Sequence, residues 1–155
     1  MSTAKDLMTT KFHALRPDMS VADAVKSFKE ASENEERKVF GIMVTDRHSR
    51  LVGMLSMYDI LLYLRPKHVH IWGMMDDIEA EGLMDQACER LKSIRVADIM
   101  TPDVITVTSD THLMVVLDLM IKKHIRRVPV VEGEKIKGII YISTLFYHLL
   151  ARVKS

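Results

Sequence analysis

Lys5-Asp6-Leu7-Met8-Thr9, set against Ala97-Asp98-Ile99-Met100-Thr101, decides the fold of this chain. A second agreement, Leu51-Val52-Gly53-Met54-Leu55 with Ile136-Lys137-Gly138-Ile139-Ile140, follows in the same order. An internal repeat of this kind means that one folding unit was duplicated, and two packed copies usually create paired clefts. Function is therefore expected between the copies.

The chain has 155 residues, about one ordinary domain, so two copies of roughly sixty residues must share a core. Hydrophobic residues make up 48% and charged residues 28%, a globular composition rather than a disordered or fibrous one. With 22 basic and 21 acidic side chains the net charge is +1, and no global field favours nucleic acid or an anionic membrane. Any anion site must be local. The single cysteine, Cys88, has no internal disulfide partner, and the N-terminus lacks the apolar core of a signal peptide. The apolar stretch near Leu55 to Leu64 is too short to span a bilayer and contains Asp59. These features predict a soluble cytoplasmic protein.

In the second copy, Val104 to Val107 is rich in strand formers, and Thr111 offers an N-cap before Leu113, Leu117 and Met120-Ile121, which share a helical face. Val128 to Val131 and Ile136 to Tyr141 flank Glu132-Gly133-Glu134-Lys135 and predict a hairpin, with a closing helix from about Ser143 to Arg152. The first copy repeats this order: Phe12 to Leu15, a helix from Val21 to Ala31 capped by Ser20, strands at Val39 to Thr45 and Leu51 to Leu55 around an Asp46 to Arg50 turn, and a helix to Leu64. Each copy thus reads β-α-β-β-α. The offset between copies falls from 92 at Asp6/Asp98 to 85 at Gly53/Gly138, and the extra residues concentrate in the polar loop Ser32 to Glu36, where insertion is tolerated. Between the copies, Leu83, Ala87 and Leu91 share a helical face after an acidic run of Asp76, Asp77, Glu79 and Glu81. The expected organisation is a first repeat over 1–65, a helical insert over 66–95 and a second repeat over 96–155.

The order Asp-Leu/Ile-Met-Thr, strand, capped helix, Val-Pro-Val-Val, Gly-Ile-Ile, helix resembles the CBS domain, and the tandem resembles a CBS pair, or Bateman module. The resemblance covers nearly all the chain except the insert. It implies an α/β (α+β) fold of two CBS-type repeats packed through their sheets about a pseudo-twofold axis, a homodimer of pairs stacked as a disc, and clefts that in many members bind AMP, ADP, ATP or S-adenosylmethionine.

It also implies site residues. The Ser/Thr-x-x-Asp motif whose carboxylate receives the ribose hydroxyls is Ser56-Met57-Tyr58-Asp59 here, and the basic residues that reach phosphate before the partner copy's second strand are Arg126 and Arg127. Arginine's planar fork of donors suits phosphate oxygens. The family pattern points to Thr9 and Ala14 beside the adenine. Each assignment has a plainer alternative. Ser followed three residues later by an acid is a capping box, and Lys122-Lys123-His124-Ile125-Arg126-Arg127 follows a helix, where cations favour the negative end of the dipole. Lys122 and Lys123 fit that alternative better. Thr9 equally fits ordinary linker polarity.

The mirror cleft departs from the pattern. Tyr141 stands where the Ser/Thr belongs, Thr144 where the Asp belongs, and Phe40 and Gly41 replace the basic residues. Ribose and phosphate anchors are lost from the same cleft, which predicts one nucleotide per chain.

His68, His70, Asp76 and Asp77 lack the spacing of a metal site, and no metal is expected. Met8, Met54, Met100 and Met120, four of the 12 methionines, fall on repeat core positions, and Trp72 is either a partner anchor or a cover between helices. No nucleophile-base pairing, P-loop or paired carboxylates suggests an enzyme. The expectation is a regulatory module that senses an adenine nucleotide and passes the change to an unidentified protein partner, without binding nucleic acid or membrane. The alternative is a ligand-free interaction or dimerisation module.

Overall fold

A computed structural model describes residues 2–34, 39–65 and 77–153. Among these the elements run α1 (Ala4–Leu7), β1 (Ala14–Leu15), α2 (Val21–Asn34), β2 (Gly41–Thr45), β3 (Leu51–Ser56), α3 (Met57–Leu64), α4 (Asp77–Arg90), α5 (Val96–Ile99), α6 (Leu113–Lys123), β4 (Arg127–Glu132), β5 (Lys135–Tyr141) and α7 (Ile142–Leu150). The mixed α/β class expected from the sequence is the one observed.

The chain divides into two compact units that do not coincide with the two repeats. Unit one comprises Met1–Phe12, His48–Leu51 and Val104–Ser155; unit two comprises His13–Arg47 and Val52–Asp103. Each repeat has given its Asp-Leu/Ile-Met-Thr segment to the unit built around the other repeat. Within unit one, the Ala4 and Lys5 amides donate to Thr111 O at 2.8 Å and Ser109 O at 3.0 Å, and Thr9 exchanges bonds of 2.8 and 3.0 Å with Ile139. Within unit two, Val96 and Ala97 donate to Met19 O and Pro17 O, and Thr101 exchanges two bonds of 2.9 Å with Met54.

Unit two carries a three-stranded sheet in the order β1-β2-β3, with β1 parallel to β2. The apolar positions Val21, Ala24, Phe28 and Ala31 recur at helical spacing along α2 and face the sheet residues Leu15, Ile42, Val44 and Leu55. Ile60 of α3, Leu91 and Val96 complete this core. The start of α2 is fastened by the Asp23 amide, which donates to Ser20 Oγ at 3.1 Å, as the cap reading expects. The helix continues to Asn34, three residues past the expected end, and Ser32 Oγ accepts from the Val39 amide at 3.0 Å. Ala87 on α4 is buried and Leu83 half-buried, which bears out the expected face.

Unit one pairs β4 antiparallel with β5 through a turn at Gly133, whose φ of 62° lies in the left-handed region that glycine enters without strain. Leu113, Val116 and Met120 of α6 pack with Val128, Val130, Ile140 and Leu145, and Ala4 of the exchanged α1 is fully buried among them. Two expectations change here. Val104 to Val107 does not form a strand: only Val107 pairs, with its amide on Pro129 O and its carbonyl accepting from Val131. Strand propensity without a second row of partners yields a single bridge. Thr111 is not the N-cap of α6. Its Oγ1 accepts from the Thr108 amide in a tight turn, and His112 caps instead, its Nδ1 accepting from Met114 at 3.0 Å. The closing helix, expected over Ser143 to Arg152, spans Ile142–Leu150. Met120 is buried as expected, whereas Met8, Met54 and Met100 are half-buried. The readings at His68, His70, Trp72 and Asp76, and those of the side chains of Asp77 and Glu79, lie outside the described residues.

Candidate functional site

In unit two β3 passes into α3 without a linker. Ser56 is the last strand residue and the helix N-cap, with φ −108° and ψ 161°. Its Oγ accepts from the Asp59 amide at 3.1 Å, and Asp59 Oδ2 accepts from the Ser56 amide at 2.9 Å. The capping box named in the sequence is therefore fully formed. It occupies one carboxylate oxygen. Asp59 Oδ1 makes no hydrogen bond among the described residues, and the side chain is half-buried. A carboxylate held at one oxygen and presented at the other is a fixed acceptor for a hydroxyl donor. Ala14, exposed on β1, pairs with Met43 in the same unit.

The start of α3 is tied to the start of β2 by the Met57 amide, which donates to Phe40 O at 2.8 Å. Unit one repeats this bond: the Ile142 amide at the start of α7 donates to Arg126 O at 2.8 Å. The two junctions are thus equivalent, and the equivalence matches Arg126 with Phe40, Arg127 with Gly41, Tyr141 with Ser56 and Thr144 with Asp59, as the repeat alignment expects. Their chemistry differs. Tyr141 makes no side-chain cap bond to α7, whereas Ser56 does at α3. Arg126 is exposed just before β4, and Arg127, half-buried, opens β4 opposite Tyr141. Lys122 and Lys123 occupy the last turn of α6, where Lys122 Nζ lies 3.0 Å from Asp118. That is the helix-end role expected for them.

Ala14, Ser56 and Asp59 thus belong to unit two, while Thr9, Arg126 and Arg127 belong to unit one. The residue that lies against β3, paired with Met54 two positions before Ser56, is Thr101. Thr101 is the counterpart of Thr9 in the second copy and was visible in the repeat; which strand each threonine lies against depends on the segment exchange, which spacing does not encode. Asp6 and Asp98 use their carboxylates as Asp59 does, accepting from the Thr3 amide at 2.9 Å and the Arg95 amide at 2.8 Å. The Thr3 hydrogen bond holds the Asp6 carboxyl below its ordinary 3.8. Among the described residues, no three His, Cys, Asp or Glu side chains gather as a metal site, and no helix is long and apolar enough to cross a membrane.

Known proteins share this fold. The CBS domain profile matches residues 4–66 and 96–151. The CBS domain-containing protein CBSX2, chloroplastic, of Arabidopsis thaliana is 29% identical over 147 residues, 89% of this chain and 59% of that protein. The chain therefore spans less than two thirds of that relative. An uncharacterized 17.7 kDa protein of Acidianus ambivalens is 27% identical over 93% of this chain and 71% of its own length. Among solved structures, CBSX2 in complex with AMP superposes with a TM-score of 0.74 at 27% identity, covering 99% of this chain and all of that one. The cytosolic domain of the Mg2+ channel MgtE in complex with ATP gives 0.69 at 26% identity, over 95% of this chain and 48% of that one.

Proposed function

The chain belongs to the CBS domain family, and from that premise we propose that it is a regulatory module that binds an adenine nucleotide through residues of both repeats and passes the change to a protein partner. Asp59, steadied by Ser56, receives the ribose hydroxyls; Arg126 and Arg127 receive the phosphates; backbone near Thr9 and Ala14 accommodates adenine. The observation that carries this reading is the half-engaged Asp59 carboxylate, one oxygen spent on the Ser56 amide and the other unspent. The AMP and ATP complexes of the related CBS structures support the ligand class. S-adenosylmethionine shares the adenosyl group and is the alternative ligand. The module is not an enzyme in this reading, forms a homodimer, serves as an energy sensor and works in the cytoplasm. Its net charge of +1 favours neither nucleic acid nor membrane. A ligand can bias the module only by its differential affinity for two arrangements.

Asp59→Asn tests the assignment. Asparagine keeps an oxygen for the Ser56 amide but loses the charge that strengthens both ribose contacts. Calorimetry should show AMP, ADP or ATP binding to the native chain and roughly 10-fold weaker binding to the variant, with melting temperature nearly unchanged. Equal affinities would remove Asp59 from the site. A second reading, the ligand-free interaction module, is favoured by the exposed Tyr58, Leu61 and Leu62 on α3 and Phe146, Tyr147 and Leu150 on α7. Self-association in sedimentation with no heat from any adenosyl compound would establish it instead.

A further inference from the structure

The exchanged segments are clamped by a sulfur atom. A Cβ placed on Gly53 would stand 2.6 Å from Met100 Sδ and 3.0 Å from Thr101 O. On Gly138 it would stand 2.9 Å from Met8 Sδ, Met8 Cγ and Thr9 O alike. The methionine of each signature therefore lies directly on the backbone of a strand, β3 in unit two and β5 in unit one. The carbonyls that share its contact, Thr101 O and Thr9 O, take part in the paired hydrogen bonds that hold Thr101 to Met54 and Thr9 to Ile139. Both methionine residues are half-buried, partly open to water rather than shut in the interior. Met43 and Met120 are shut in the interior, and Met57, Met84 and Met114 are exposed. Met8 and Met100 combine partial exposure with a close contact against the backbone of a strand.

We propose that Met8 and Met100 are modification sites at which a hydroperoxide releases the exchanged segments. The thioether sulfur attacks the terminal peroxide oxygen; an S–O bond forms, the O–O bond breaks, the sulfur loses two electrons, and the other oxygen takes the proton from the transferred hydroxyl and leaves as water when the oxidant is hydrogen peroxide or as an alcohol when it is an organic hydroperoxide. The product is polar and larger. The polar atom that shares the contact is a carbonyl oxygen, Thr101 O or Thr9 O, which repels a sulfoxide oxygen instead of donating to it. The oxidised side chain must then leave the glycine, and the bonds beneath it open to water. This inference stands independently of the nucleotide reading.

Graded peroxide treatment of the full chain, with peptide mass mapping, melting temperature and amide exchange, tests it. The native chain should lose roughly 4 °C or more, the response of a protein this size to ordinary overpacking. Exchange at the Met54 and Thr101 amides should accelerate, and methionine sulfoxide reductase should restore both. The M8L/M100L variant should keep its melting temperature under peroxide, whereas the M57L/M84L/M114L variant should still lose it. Equal losses in M8L/M100L and the native chain, or Met8 and Met100 unmodified after Met57, Met84 and Met114 have reacted fully, would overturn the proposal. If M8L/M100L fails to fold, the native series decides: a melting loss that follows sulfoxide at Met84 rather than at Met8 or Met100 rejects it.

Discussion

Gly53→Ala puts a single methyl group where the exchanged segment of unit two crosses β3. Gly53 has no left-handed backbone angle, so space alone is at stake. The new Cβ would lie 2.6 Å from Met100 Sδ and 3.0 Å from the Thr101 carbonyl. Sulfur can swing aside. The carbonyl cannot, because Thr101 is held to Met54 at both its amide and its oxygen, each at 2.9 Å. Overpacking of this kind costs about 2 kcal/mol. Alanine also restricts the unfolded chain and returns about 0.5–1 kcal/mol. The net loss is about 1–1.5 kcal/mol, a fall in Tm of roughly 2–6 °C. Gly82→Ala is the internal control: Gly82 lies in α4 with nothing within 4 Å of its would-be Cβ, so helix propensity alone should add about 0.5–1 kcal/mol. Urea denaturation and thermal melting of both variants measure the two signs. A Gly53→Ala chain as stable as the native one, beside the expected gain in Gly82→Ala, would refute the clamp.

Replacing Arg126 and Arg127 together by alanine should weaken AMP or ATP far more than adenosine in calorimetry, since only the phosphates lose a partner; equal losses would show a general defect. Calorimetric stoichiometry should be near one nucleotide per chain, because Phe40 and Gly41 stand in the first copy where the second has Arg126 and Arg127, and Tyr141 and Thr144 stand in the second where the first has Ser56 and Asp59; a value near two would refute a single competent set of residues. The Thr3 amide holds the Asp6 carboxyl below 3.8, so its stabilising contribution is present above that pH and disappears as pH falls through the lower folded value. Asp6→Asn should therefore flatten the acid limb of the stability curve, and an NMR titration placing Asp6 at or above 3.8 would contradict the cause given.

Features set by near neighbours were legible in the chain. The spacing of Val21, Ala24, Phe28 and Ala31 marks α2, Gly133 marks the hairpin turn, and Ser56-x-x-Asp59 forms the capping box that its spacing implies. Features set by distant partners were not. Val104 to Val107 looks like a strand by composition, yet only Val107 meets Pro129 and Val131. Thr111 fails for a local reason that composition does not rank: the Thr108 amide, three residues back, claims its hydroxyl and leaves the cap to His112. The candidate site divides in the same way: Ser56 and Asp59 meet through local hydrogen bonds, whereas the presence of Thr101 beside β3 follows from a pairing across forty-seven residues, Met54 to Thr101.

The segment exchange sets a schedule for biosynthesis. Residues 4–9 are made long before their backbone partners Ser109, Thr111 and Ile139. At roughly 5–20 residues per second the N-terminal segment waits about 6–26 s after Thr9 is joined before Ile139 follows. Met54 waits less than half as long for Thr101. Unit two can thus close on the ribosome while residues 4–9, with Leu7 and Met8 uncovered, still lack the β5 strand they lie against.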